Sequence, residues 1–233
     1  MNELNWRNLA FLFTIFGCFQ FVLLSSLAMF IYGGGTRINP NSSGYIFFLN
    51  FFSDLGRIQS FGNPNTASAI LFFITLLLAS IAFATYFIAI PGVINTEKPK
   101  KINTLSALGI LNSALFSCVA LTPADLFPIL HDLIVFLAFI VSFLVSSLMY
   151  YLFKEIKAIP KFYHLVFLAF SCIIVMYGAV SLVTSFFPEI YVSTALLLRV
   201  VMQKIVIYYL ITCFFIQSLG ALKNYPPIKQ IIQ

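Results

Sequence analysis

Six long apolar runs, separated by polar connections whose charges are sorted, constrain this chain more than any other feature. The runs cover residues 9–32, 66–90, 104–121, 129–153, 163–186 and 193–222. A helix of about 20 apolar residues crosses the hydrocarbon core of a bilayer. Lipid offers the backbone no hydrogen bonds, so spanning segments must be helices or a closed barrel. Only 9% of the residues are charged, against about 25% in a soluble domain, so the chain lacks the polar surface to face water. The expected fold is all-α: a polytopic integral membrane protein with six transmembrane helices in one bundle. It forms a single transmembrane domain over residues 1–233, with one extracytoplasmic loop at 33–65. The first run follows Arg7 and continues through Ile31, longer than a cleaved signal segment requires, and is expected to remain as the first helix.

The sorted charges set an orientation. The second–third connection carries Lys98, Lys100 and Lys101 beside Glu97, and the fourth–fifth carries Lys154, Lys157 and Lys161 beside Glu155. Arg7 precedes the first run, and Lys223 and Lys229 follow the last. Against these nine basic residues the opposite connections hold two, Arg37 and Arg57. The positive-inside rule then puts both termini in the cytoplasm of a multi-pass cell-membrane protein. Trp6, Tyr150, Tyr151, Tyr163 and Tyr225 fall where an inner aromatic belt belongs. Insertion bias accounts for the net charge of +6, and no nucleic-acid partner is expected.

The opposite side collects a different set of residues. Its long connection opens on Gly33-Gly34-Gly35 and holds an apolar island at 45–52, expected as a short interfacial helix. Ser53, Asp54 and Arg57 follow; the third–fourth turn adds Asp125, His131 and Asp132; Glu189 and Arg199 come from the start of the last helix, with Lys204 further along. Ionisable groups at membrane depth are costly and point to function unless paired. Arg199 is expected to reach outward to Asp54 or Asp125. In a shared site Asp54, His131 and Arg199 are the candidate catalytic groups, and Ser53, Asp125 and Arg199 the candidate substrate-binding groups. Arg199 would hold an anion while Asp54 and His131 move a proton. Alternatively Asp54, Asp125, His131 and Asp132 could give one nitrogen and several oxygens to a divalent metal; no other cofactor signature occurs. Simpler roles compete with a shared site. Asp54 and Arg57 are spaced to pair at i,i+3, and Asp125 and Asp132 suit the start of the fourth helix. His164, at the cytoplasmic end of the fifth helix, reads as interfacial.

Cys18, Cys118, Cys172 and Cys213 are scattered through the apolar runs with no CxxC. They suit buried packing better than zinc or disulfides. Tyr177, Ser181, Thr184 and Ser185 give the fifth helix a polar edge. Gly178, Ala179 and Ser181 suggest close helix packing there, with a cavity lining as the alternative.

Four of these features occur in one order: Ser53-Asp54-Leu55-Gly56, Pro123-Ala124-Asp125, His131 and Arg199. In this the chain resembles the uncharacterised prokaryotic membrane proteins numbered 998 in the domains-of-unknown-function series. The resemblance implies about six helices and a site built from those motifs, and it implies no activity. Thr122 stands where that family often has Phe before the proline. Three functions are compatible with the sequence. One is recognition or modification of a lipid head group or other small ligand at the outer face. The others are a structural or assembly subunit and a small transporter. The expected partners are membrane lipid and other membrane subunits or further copies of the chain.

Overall fold

Helices form where the apolar runs predict them: α1 Glu3–Phe30, α2 Thr66–Ala89, α3 Pro99–Leu121, α4 Pro128–Glu155, α5 Lys161–Phe186 and α6 Val192–Lys223. This computed structural model describes residues 3–94, 99–157, 159–186 and 192–223. Glu97, Lys98, Glu189, Tyr225 and Lys229 therefore lie outside the described residues. Each helix is long and apolar enough to cross a bilayer. Large apolar side chains such as Leu9, Phe19, Leu23, Phe136 and Ile140 are exposed on the outside of the bundle. A water-soluble surface would not tolerate so large an apolar area; a lipid-facing one requires it. The chain is a multi-pass, all-α membrane protein. Most helices overrun the apolar runs at the lysine-rich end, where α1 begins at Glu3 and α3 at Pro99. Pro128 opens α4, where its missing N–H has no intrahelical partner to lose. Pro91 instead closes α2 in a 3-10 turn, Ile90–Gly92.

The helices form a ring in chain order: each packs on the next, and α6 closes onto α1. A side-chain hydrogen bond ties every neighbouring pair. The Thr14 hydroxyl donates to Ala82 O at 3.0 Å and Gln20 to Thr75 O at 3.1 Å, joining α1 to α2. Ser106 donates to Phe87 O at 2.6 Å across α2–α3, and Asn112 to Ser142 at 2.9 Å across α3–α4. Ser146 and Ser171 lie 2.7 Å apart across α4–α5. Tyr209 donates to Val166 O at 3.3 Å across α5–α6, and the Cys18 thiol to Ile211 O at 3.4 Å closes the ring. In lipid the hydrophobic effect gives helices no reason to associate, so such bonds and close packing hold them together. The cysteines divide accordingly: Cys18 and Cys213 are buried as expected, but Cys118 and Cys172 are exposed on the bundle surface.

Close approach is clearest at Gly17, where an added Cβ would sit 2.4 Å from the Ala82 Cβ. Gly17→Val should therefore force α1 from α2 and cost about 1–3 kcal/mol, the usual penalty of overpacking. A thermal-unfolding midpoint in detergent equal to wild type would remove this account of the α1–α2 contact.

Inside the ring, Phe83 stacks on Phe214 with centroids 4.0 Å apart, and Tyr86 and Phe87 meet Phe214 edge-on. Beside this stack lies an apolar chamber of about 60 Å³, walled by α1, α2, α3, α4 and α6 and reached from above by Phe52 and Ser53. At the lysine-rich end, Arg7 donates to Gly92 O at 2.6 Å, and Lys101 to the Tyr151 hydroxyl at 3.3 Å. His164 packs there against the ring of Tyr150, edge-on at 5.8 Å.

The 33–65 connection folds into a cap over the other end. The island at 45–52 is not the expected interfacial helix. Its N-terminal half is a single turn around Ile46, whose N–H is taken by the Asn50 side chain at 2.9 Å. The short helix comes later, a 3-10 turn over Phe52–Gly56. A two-residue hairpin follows, β1 Gln59–Ser60 against β2 Asn63–Pro64, in register Ser60↔Asn63. Its loop, Phe61-Gly62, has φ of 49° and 97°. Both central residues at positive φ mark a twist-matched hairpin turn. Phe61 tolerates that conformation beneath the Arg57 guanidinium, 4.8 Å from its ring centroid.

Candidate functional site

Three buried polar side chains organise the cap. Asn65 accepts the Gly33 N–H at 2.9 Å and donates to Leu55 O at 3.2 Å and Arg57 O at 2.8 Å. Asn50 donates to the Tyr32 hydroxyl at 3.2 Å and to Gly35 O at 2.9 Å. Gly34 and Gly35, at φ of 106° and 85°, make the left-handed bend that turns this carbonyl inward. Tyr32 in turn shares a hydrogen bond with Ser60. Burial, reinforced by the Asp54 charge, pushes the Tyr32 phenol up to about 12 against the opposing Ser60 bond, so it stays protonated. Asp54 is the third. It is 1% exposed; one oxygen accepts the Phe51 N–H at 2.8 Å and the other pairs with Arg57 Nε at 2.8 Å.

The cap is fastened to the ring at three points. Ser68 of α2 donates to Ala28 O at 3.0 Å and Leu55 O at 3.2 Å. On α6, Gln203 accepts the Phe52 N–H at 2.9 Å, and the neighbouring Lys204 donates to Asn50 O at 2.5 Å. The buried Lys204 ammonium lies over the rings of Phe47, Tyr45 and Phe52, at 4.9, 5.4 and 5.7 Å. At the α3–α4 turn, Asp125 accepts the Gln59 N–H at 2.8 Å.

The sequence-derived candidates thus separate. Asp54 pairs with Arg57, the i,i+3 arrangement of the simpler reading, and not with Arg199. Asp125 holds the hairpin. The buried His131 places Nδ1 2.7 Å from Thr122 O, bracing the α3–α4 turn. Ser53 lines the roof of the apolar chamber. Arg199 turns sideways to α5, donating to Thr184 at 2.5 Å, Ser185 at 2.8 Å and Ser181 O at 3.1 Å. The polar edge of α5 is nearer to Arg199 than any carboxylate among the described residues, and it takes the donors that snorkelling would have carried outward. No hydrogen bond or ion pair joins Asp54, His131 and Arg199. Among the described residues no three His, Cys, Asp or Glu side chains gather as a metal site would need.

Arg199 does meet another residue, one absent from the candidate set. With Arg37 of the cap it lines a groove of about 410 Å³, floored by Phe51 and Leu196 and edged by Thr184 and Ser185. Arg37 is exposed and stacks on the Phe51 ring, its guanidinium carbon 5.0 Å from the centroid. It forms no hydrogen bond or ion pair with the described residues, and the Arg199 Nη1 is likewise uncommitted. Two guanidinium groups facing one groove suit an oxyanion, since each offers a planar fork of donors. The signal for Arg37 was present in the sequence as one of only two cations in the connections on its side, but its distance from Arg199 along the chain concealed the pairing. Gly178 departs from expectation in a related way. A Cβ there would meet nothing within 4 Å. Gly178 and Ser181 line a second groove against α4, the cavity-lining alternative of the sequence.

Compared with protein-family models, curated proteins and solved structures, the chain matches none.

Proposed function

We propose that this protein recognises the phosphate-bearing head group of a membrane lipid at the extracytoplasmic end of the bundle, through Arg37 and Arg199. The observation that carries this reading is the pair of arginines with uncommitted donors on one groove beside a lipid-facing surface. The excess of basic residues at the opposite end supports a cytoplasmic location for both termini and hence an outer-face position for the groove. Asp54, Asp125 and His131 serve the site indirectly, by shaping the cap from which Arg37 projects. The ordered motifs that include them support kinship with the 998 family.

The test is lipid binding to the purified full-length protein by native mass spectrometry. Phosphatidyl lipids should bind about tenfold or more tightly than diacylglycerol with the same chains. Arg37→Gln should erase that preference while changing stability by no more than about 1 kcal/mol, because Arg37 has no polar partner among the described residues and gives up only its exposed stacking on Phe51. Equal binding of diacylglycerol and phospholipid by the wild-type protein would defeat the reading.

A further inference from the structure

The groove between α4 and α5 adjoins the arginine groove, and Ser185 lines both. It has a volume of about 550 Å³ and runs from Asp132 at the capped end down past Phe136, Ile140 and Phe143. From Asp132 to Phe143 is about 16 Å along a helix, close to half of a hydrocarbon core of ~30 Å. One acyl chain of a single leaflet fits that length. Gly178 forms part of the wall and leaves it open.

The head of this groove carries an unanswered charge. Asp132 is exposed and makes no hydrogen bond or ion pair with any described residue. Ser185, near the end of α5, borders both the groove lined by Arg37 and Arg199 and the groove lined by Asp132, so the three charges belong to adjoining grooves. A purely anionic head group bound to the arginines would place its negative charge near this carboxylate. A head group with a phosphate and a hydrogen-bonding cation would satisfy all three charges. Specificity of this kind uses repulsion of the wrong ligand as well as attraction of the right one.

Resting on the head-group reading above, we propose that the ligand is a zwitterionic aminophospholipid. Its phosphate lies between Arg37 and Arg199, its primary ammonium on Asp132, and one acyl chain in the α4–α5 groove. A choline head group presents no N–H to the carboxylate and binds less well, and a glycerol head group brings no cation.

Full-length protein titrated with phosphatidylethanolamine, phosphatidylglycerol and phosphatidylcholine of identical chains tests this, again by native mass spectrometry. Phosphatidylethanolamine should bind about tenfold more tightly than either competitor. Asp132→Asn should remove that preference and leave the Arg37-dependent affinity for phospholipid intact. Gly178→Leu should weaken all three lipids without lowering the thermal-unfolding midpoint, because the new side chain fills the groove and meets no helix. Phosphatidylglycerol binding as tightly as phosphatidylethanolamine, or selectivity surviving in Asp132→Asn, would overturn this inference and leave the head-group reading standing. Binding that ignores both the head group and Arg37→Gln would overturn both.

Discussion

Asp54→Ala should lower the stability of the protein by about 3–5 kcal/mol, the cost of breaking a buried ion pair by removing one partner. The carboxylate is 1% exposed and serves two donors, the Phe51 N–H and Arg57 Nε. Removing it leaves a buried amide and a half-buried guanidinium without acceptors. Asp54→Asn should cost less, because its carbonyl oxygen can still accept from one of them. Unfolding can be followed in detergent by thiol labelling. Cys18 and Cys213 are buried and become reactive only when the ring opens, once the exposed Cys118 and Cys172 have been replaced by Ser. A loss of that size lowers the midpoint by roughly 6–20 °C in a chain of this length. A midpoint unchanged in Asp54→Ala would mean that the cap is not held by this pair, and would reopen a chemical role for the carboxylate.

Lys204→Glu should be comparably damaging and more local in its effect. The native ammonium donates to Asn50 O and faces three aromatic rings, whose negative faces attract a cation. A glutamate would turn a carboxylate toward those faces and toward the Asn50 carbonyl, leaving a buried charge uncompensated at about 3–5 kcal/mol. Lys204→Met keeps the apolar stem and loses only the hydrogen bond and ring attraction, about 1–3 kcal/mol. Amide hydrogen exchange separates this from general destabilisation. Protection should fall at 45–56 in both variants while the α3–α4 interface, tied by Asn112 and Ser142, stays protected. Uniform loss across the bundle, or unchanged exchange at 45–56 in Lys204→Met, would contradict a role for Lys204 as the fastener of the cap.

The helices are legible in the sequence because lipid imposes a single coarse requirement, an unbroken apolar run, and Pro91, Pro123 and Pro128 punctuate the runs sharply. The cap is far less legible. Its structure rests on Asn50, Asn65 and Tyr32, whose partners include backbone groups 8 to 32 residues away, and composition carries no trace of such bonds. The hairpin had a local signal in Gly62 followed by Asn63-Pro64, but the neighbouring apolar island suggested a helix instead. The candidate site was half readable. Charge sorting brought the right residues to one end, yet it could not choose partners among them. Asp54 found Arg57 three residues on; Arg199 found hydroxyls on the adjacent helix; Arg37 had no sequence neighbour to mark it. Lys204 illustrates the same limit, because its depth and direction depend on aromatic residues some 150 positions earlier in the chain.

The ring arrangement bears on how the protein is made. Helices α2 to α5 can each settle against the one synthesised just before, so their contacts are local and accrue as the chain enters the membrane. The α1–α6 seam cannot. It joins the first helix to the last, through Cys18 and Ile211, 193 residues apart, and domains fold as their chain emerges, N-terminal parts first. Until α6 arrives, α1 and α5 both present an unpartnered flank, and the cap lacks the Gln203 and Lys204 that grip it. The sixth helix is therefore the closing stave of a cask: until it is in place, neither the vessel nor the arginine groove at its rim exists at all.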